Sequence, residues 1–306
     1  MAEILNILFG TATLAAMVRL STPLVLASMG GAFGNKSGVF NIALESFMLT
    51  SAFFAMYGSY LTENAMVGLL FGIATGLIMS VIFGILVFHF GSNPTVVSIA
   101  LNLSAWGFTT LLLTSMFGTR GSFMDPKIVS FPSVDIPLLN QIPYLRDILN
   151  NQNVLVYVAW ISVVVCWIIM YKTPFGLRLR GVGINERAAQ TTGTNVLKYR
   201  WIALLATGGM VGVSGAFLPL CGISMFTENM SAGKGFLAVA AIMIGKGHPV
   251  KVFLSCLLFA YADAVSIGLQ AFDVPSQVVM TLPYAATVLV LFVSSIKNSK
   301  TAAMEI

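Results

Sequence analysis

Residues 64–89 contain no Asp, Glu, Lys or Arg. An apolar run of about 20 residues is enough to cross a hydrocarbon core roughly 30 Å thick. Comparable runs recur near 4–20, 22–35, 38–60, 94–118, 153–171, 200–222, 233–246, 250–272 and 278–296. Only 9% of the residues are charged and 57% are hydrophobic, whereas a soluble domain carries about a quarter charged residues. Backbone groups in lipid must be satisfied inside their own segment, which leaves helices as the spanning element. The expected fold class is therefore all-α, a polytopic transmembrane helical bundle of about ten spans. No polar block is large enough for a soluble domain, so residues 1–306 read as one membrane domain.

Lys and Arg placement sets the expected orientation. Lys172, Arg178, Arg180, Arg187, Lys198 and Arg200 crowd the loop around 172–199, which reads as cytoplasmic. The loop 119–152 holds Arg120, Lys127 and Arg146 beside Asp125, Asp135 and Asp147, and reads as extracytoplasmic. Counting outward puts Lys36, Lys246, Lys251, Lys297, Lys300 and both termini in the cytoplasm. Nine spans, with 4–32 as one bent helix, is the alternative count. MAEILNILFGTATLAAM lacks a basic flank and reads as a retained first helix rather than a signal peptide. The net charge of +5 belongs to cytoplasmic loops and implies no nucleic-acid partner.

Two stretches echo each other. LASMGGAFG (26–34) leads into KSGVFNIALE (36–45), and LATGGMVG (205–212) precedes GKGFLAVAAI (233–242). Gly30, Gly31 and Gly38 then correspond to Gly208, Gly209 and Gly235. Five spans per half would make the halves inverted repeats, with 22–35 and 233–246 as short broken helices.

The residues suited to chemistry are few. His89 and His248 lie near span ends, Cys166, Cys221 and Cys256 are scattered in apolar segments, and no hydrolase, zinc or phosphate-loop motif is present. No enzyme activity, metal site or cofactor in this chain is expected. An ion-coupled carrier would need several ionisable groups at membrane depth, and only Glu45 and Asp263 qualify. Glu45 lies seven residues into its span, with Asn41 on the same helical face. Ser98 and Asn102 share a face of the fifth span. Phe40 and Phe236 hold neighbouring places in the two halves and could stack on a flat ring. These six, Phe40, Asn41, Glu45, Ser98, Asn102 and Phe236, are the candidate pathway lining.

The polar island GVGINERAAQTTG (181–193) is unusual in so apolar a chain. Asn185 suits an N-cap, Glu186 suits the positive end of a helix dipole, and Gly193 suits the position after a helix end. Between them lie about two turns in which Ala188 and Ala189 make a small-residue face. So short a helix is marginal alone and needs a surface to dock on.

These stretches together resemble the permeases of bacterial ABC importers, in the branch handling ribose-type sugars, branched-chain amino acids and nucleosides. The family's coupling-helix pattern G-x-N-x-x-A-A-x-x-x-G maps onto Gly183, Asn185, Ala188, Ala189 and Gly193, with Glu186 and Arg187 inside it. SGVFNIALESFML (37–49) is similar to SGVxNxGxEGxM, with Ala43 and Ser46 replacing glycines, and GKGFLAVAAIMIGKGHP (233–249) is similar to GxGFxxxAxxxxGxxxP. The outward stretch 137–160 looks most like nucleoside permeases that work with a basic-membrane-lipoprotein receptor. The resemblance implies a multi-pass protein of the bacterial cell membrane that forms a nucleoside pathway and binds no nucleotide itself. It implies ATPase subunits that hold ATP and Mg, a second and related permease, and an external substrate-binding lipoprotein. A simple-sugar importer is the nearest alternative, and an ion-coupled secondary carrier the more distant one.

Overall fold

Helix α1 runs without a break from Thr11 to Lys36, with Pro23 inside it. The computed structural model describes residues 10–137 and 143–270. Segments 4–20 and 22–35, expected as separate spans, are thus one helix over the described residues. The short apolar run 22–35 is the second half of α1, not a broken element. Pro23 cannot donate to the Arg19 carbonyl one turn back, yet the helix continues through it. Ser21 and Thr22 hydroxyls both donate to the Val18 carbonyl, at 2.8 and 3.2 Å. The Pro23 carbonyl accepts from Ser214 Oγ at 2.6 Å. Leu24 through Gly34 are buried on every side, so α1 is the core of the molecule and carries no amphipathic stripe.

The other helices are α2 Leu44–Thr62, α3 Ala65–Gly84 with a wider turn through His89, α4 Pro94–Phe117, α5 Pro143–Leu149 and α6 Val154–Lys172. They are followed by α7 Pro174–Ile184, α8 Glu186–Thr191, α9 Val196–Leu218, α10 Lys234–Ile244 and α11 Pro249–Leu269. Among the described residues six helices are long and apolar enough to cross a membrane: α1, α3 with its extension, α4, α6, α9 and α11. Expected span 278–296 lies outside the described residues. Asparagine marks where helices begin. Asn64, Asn93, Asn153, Asn185 and Asn195 each accept from a backbone N–H in the first turn, which satisfies donors the helix itself leaves open.

Packing follows small residues. Helix α9 lies antiparallel to α1, with Thr207 Oγ1 donating to Gly30 O and Ser214 to Pro23 O. Helices α3 and α9 meet at Gly72, Gly76, Gly208 and Gly212, where a Cβ on Gly76 would stand 2.2 Å from the Gly208 carbonyl. Apolar helices gain nothing by hiding from lipid, so close backbone approach is what holds them together. Large side chains such as Leu70, Ile78, Leu111 and Ile161 are left exposed, as lipid-facing surfaces require. Two short ribbons tie the loops: β1 Ser122–Met124 pairs with β4 Met225–Thr227, and β2 Ser133–Val134 pairs with β3 Gln152–Asn153.

Candidate functional site

After Lys36 the chain leaves the helix at Gly38 (φ +81°) and stays irregular until Leu44. The expected span 38–60 is therefore helical only from Leu44. Asn41 is not on a helical face with Glu45; its Oδ1 folds back to accept from Ala43 N at 2.7 Å. Helix α4 carries the irregular stretch. Ser98 Oγ accepts from Ile42 N at 3.1 Å and donates to Pro94 O. Asn102 Oδ1 accepts from Ser46 N at 3.0 Å while its Nδ2 donates to Ile42 O at 3.3 Å. Ser98 is fully buried and, with Asn102, satisfies the open start of α2.

Glu45 lies in the first turn of α2, and its side chain reaches the start of α10. Its carboxylate accepts from Ser231 Oγ at 2.5 Å, Gly233 N at 2.9 Å and Gly235 N at 2.7 Å. Helix α10 runs parallel to α1, since Ile242 meets Gly31 and Gly247 meets Asn35. Helix α2 runs the opposite way, alongside α9, so α2 and α10 depart in opposite directions from abutting N-termini. A Cβ on Gly235 would stand 2.4 Å from Glu45 N, which is why only glycine serves there. Two helix dipoles and three donors converge on one carboxylate. That explains how an acid only 7% exposed is held with no cation bonded to it among the described residues.

Beside this junction opens a cleft of about 500 Å³ lined by Glu45, Ser46, Asn102, Trp106, Asn229 and Phe236, among others. The structure thus brings Glu45, Asn102 and Phe236 together. Phe40 is exposed and Asn41 half-buried on the irregular stretch, and neither they nor Ser98 line the cleft. Asn41 Nδ2 is buried without a hydrogen-bond partner. Sequence reasoning missed Trp106 and Asn229. Trp106 is one turn beyond Asn102 and two beyond Ser98, so extending that helical face would have found it. Asn229 lies in the polar run TENMSAG (227–233). Among the described residues no group of three or more His, Cys, Asp or Glu could hold a metal ion.

The loop around 172–199 forms a second site. Asn185 Oδ1 accepts from Ala188 N at 3.1 Å, opening α8 as its sequence predicts. Gly193 follows the helix with φ +78°. Glu186 makes a two-pronged ion pair with Arg200, at 2.9 and 3.2 Å. Ala189 is buried against Val182 and Val196, whereas Arg187 and Ala188 are exposed. The two alanines therefore do not share one docking face: Ala189 seats α8 on its own chain, and Ala188 faces out. A Cβ on Gly183 would stand 2.2 Å from the Lys36 carbonyl, so the end of α7 bears on the exit of α1. Between α8, Gly38 and Phe88 lies a cleft of about 720 Å³. Nearby His248 packs on Tyr171 at 4.7 Å. Burial holds its pKa below the ordinary value, and Lys251 and Lys36 add to the effect.

Residues 13–291 match the family described as branched-chain amino acid transport system / permease component. The chain is 34% identical to the guanosine ABC transporter permease protein NupQ of Bacillus subtilis, covering 89% of this chain and 88% of the relative. It is 32% identical to the nucleoside ABC transporter permease protein NupC of Lactococcus lactis, over 90% of each. The glucose ABC transporter permease protein TsgB13 of Haloferax volcanii is 28% identical, over 85% of this chain and 70% of that one. In fold, the chain is similar to a solved inward-facing ABC transporter, with a TM-score of 0.53, 14% identity, and coverage of 91% and 84%. With the helical membrane core described above and a family match over most of its length, this protein is a member of the branched-chain amino acid transport system / permease component family.

Proposed function

We propose that this chain is the membrane subunit of an ATP-driven importer of nucleosides, seated in the bacterial cell membrane. The observation that carries the reading is similarity to a guanosine and a nucleoside permease over nine tenths of the chain. The cleft at Glu45, Asn102 and Phe236 lies on the translocation pathway, with Phe40 and Asn41 on the stretch leading to it and Ser98 positioning that stretch. The α1–α2 and α9–α10 pairs are equivalent parts of two inverted halves. Helix α8 is the coupling element: Arg187 and Ala188 contact an ATPase subunit, and Asn185, Glu186, Ala189, Gly183 and Gly193 hold the helix in place. ATP and Mg are bound by the ATPase subunits. A second, related permease completes the pathway, and an extracytoplasmic lipoprotein delivers substrate.

Coupling follows the contacts. Movement of α8 is passed through Arg200 to α9, and through Gly183 to Lys36 and the irregular stretch 37–43. That stretch is bonded to Ser98 and Asn102, and it ends at the Glu45 junction. Such a device needs few membrane charges, because ATP rather than an ion gradient drives it.

The test is purification of the tagged chain with its co-purifying subunits, reconstitution with its receptor, and uptake of labelled guanosine. Uptake that requires ATP and is competed by other nucleosides supports the reading. Uptake competed by ribose or glucose but not by nucleosides gives the sugar importer instead. Uptake by the chain alone under an ion gradient overturns it.

A further inference from the structure

We infer that Trp106 and Asn229 are the specificity-determining residues of the cleft, reading the nucleobase by stacking and by its polar edge. This rests on the nucleoside reading above. Most polar groups that line the cleft are already committed to the fold. Both Glu45 oxygens are bonded to 231–235, and both ends of the Asn102 amide are bonded to the start of α2. Ser46 donates its N–H to Asn102 and its hydroxyl to Ala43 O. Each keeps only its spare capacity for a solute, such as the second hydrogen of Asn102 Nδ2, and cannot reorient without releasing a group of the fold.

Two kinds of group remain. Among the described residues nothing hydrogen-bonds the side-chain amide of Asn229, which stands exposed on the loop before α10, at φ +55°. The rings of Trp106 and Phe236 are 54% and 47% exposed while lining the same cleft. Trp106 comes from α4, Asn229 from the loop tied through β4 to β1, and Phe236 from the first turn of α10. Three independently anchored elements therefore present two π surfaces and one donor–acceptor pair to a single space.

That set matches a flat heteroaromatic ring. Bases stack on aromatic side chains whatever their identity, and an Asn amide pairs two-pronged with the adjacent donor and acceptor of a base edge. A pentose or hexose alone would draw mainly on freely orienting polar groups, and among the described residues Asn229 is the lining side chain with no hydrogen bond to give up. Trp106 then supplies affinity for every nucleoside, and Asn229 supplies the ranking among bases.

The experiment uses the whole reconstituted complex and measures KM and kcat for guanosine, adenosine, cytidine and uridine, with ribose as competitor. Trp106→Ala is expected to raise KM for all four nucleosides roughly tenfold or more, and Trp106→Phe to restore most of the loss. Asn229→Ala and Asn229→Asp are expected to reorder the four bases while shifting KM for the poorest by no more than about threefold. Nucleoside uptake with unchanged KM in Trp106→Ala, or with an unchanged ranking in both Asn229 variants, overturns the assignment and leaves the importer reading standing. Wild-type uptake of ribose without any nucleoside overturns both.

Discussion

Glu45 and Glu186 are each in the first turn of a helix, yet they are built into the molecule in opposite ways. Glu45 is 7% exposed and its carboxylate accepts three hydrogen bonds, two from backbone amides and one from a serine. The Glu186 side chain is 44% exposed and pairs with Arg200, itself 24% exposed. The first is bonded to groups that cannot move without unwinding α10. The second is bonded to a long side chain that water and salt can replace. A buried acid surrounded by fixed donors serves to define a junction, and an exposed ion pair orients α8 against α9 with a contact that solvent can exchange.

The contrast predicts unequal costs, the largest at the junction. Glu45→Ala leaves Gly233 N, Gly235 N and Ser231 Oγ without their acceptor, and buried groups left unpaired cost about 1–3 kcal/mol each. A loss of about 3–5 kcal/mol is expected, read as thermal unfolding of the purified protein in detergent, together with loss of uptake. Glu45→Gln keeps one acceptor oxygen and should fall between. Wild-type melting of Glu45→Ala would erase the distinction between the two carboxylates.

Gly235→Ala comes next. The new Cβ would stand 2.4 Å from Glu45 N, and that backbone can yield only by separating α2 from α10. Overpacking of this kind costs about 1–3 kcal/mol, and uptake should drop even where the protein still assembles. An alanine tolerated in both assays would mean that the two helix starts are not held in register.

Glu186→Gln should be far milder to the fold. Partly exposed ion pairs are worth about 0–1 kcal/mol and weaken with salt. Melting should differ from wild type only slightly, and less at 0.5 M than at 0.05 M salt (chosen concentrations). A shift as large as that of Glu45→Ala would place the Glu186–Arg200 pair among the core contacts.

The smallest effect is at His248. Its pKa is held below 6.5 by burial first and by Lys251 and Lys36 next, so the folded chain keeps it neutral where the unfolded chain binds a proton. Stability should decline as pH falls below about 6.5 and level off below the folded value. The site is partly open to water, so the decline should be on the order of 1–2 °C in Tm. His248→Gln should flatten that part of the pH profile, and an unchanged profile would assign the decline to other groups.

Much of α8 was legible because its signals are local. Asn185 and Gly193 act within one turn and sit where their chemistry predicts, and Glu186 stands in the first turn as expected, although its pairing with Arg200 fourteen residues on was not legible. The direction of Ala188 against Ala189 also needed the tertiary contacts with Val182 and Val196. Glu45 was legible as an acid in the wrong place, but its role was not, because its partners lie 186 to 190 residues away. Helix α1 misled in another way. A helix buried on all sides has no amphipathic period to follow, so the glycines and small residues of 22–35 read as a short broken element, while α1 runs through them and is held to α9 by Ser214. Trp106 was passed over because an exposed tryptophan on an apolar helix looks like lipid contact until Asn229 and Phe236 are brought beside it.

The central claim is that α8 transmits ATP turnover to the Glu45 junction, and one paired measurement tests it. Ala188→Glu places a charge on the outward face of α8 without touching the packing of Ala189. ATP hydrolysis and guanosine uptake would be measured on the same vesicles for wild type and this variant. The account predicts that hydrolysis persists while uptake per ATP falls at least tenfold, with melting unchanged. Wild-type uptake per ATP in the variant would contradict it and remove α8 from the drive mechanism.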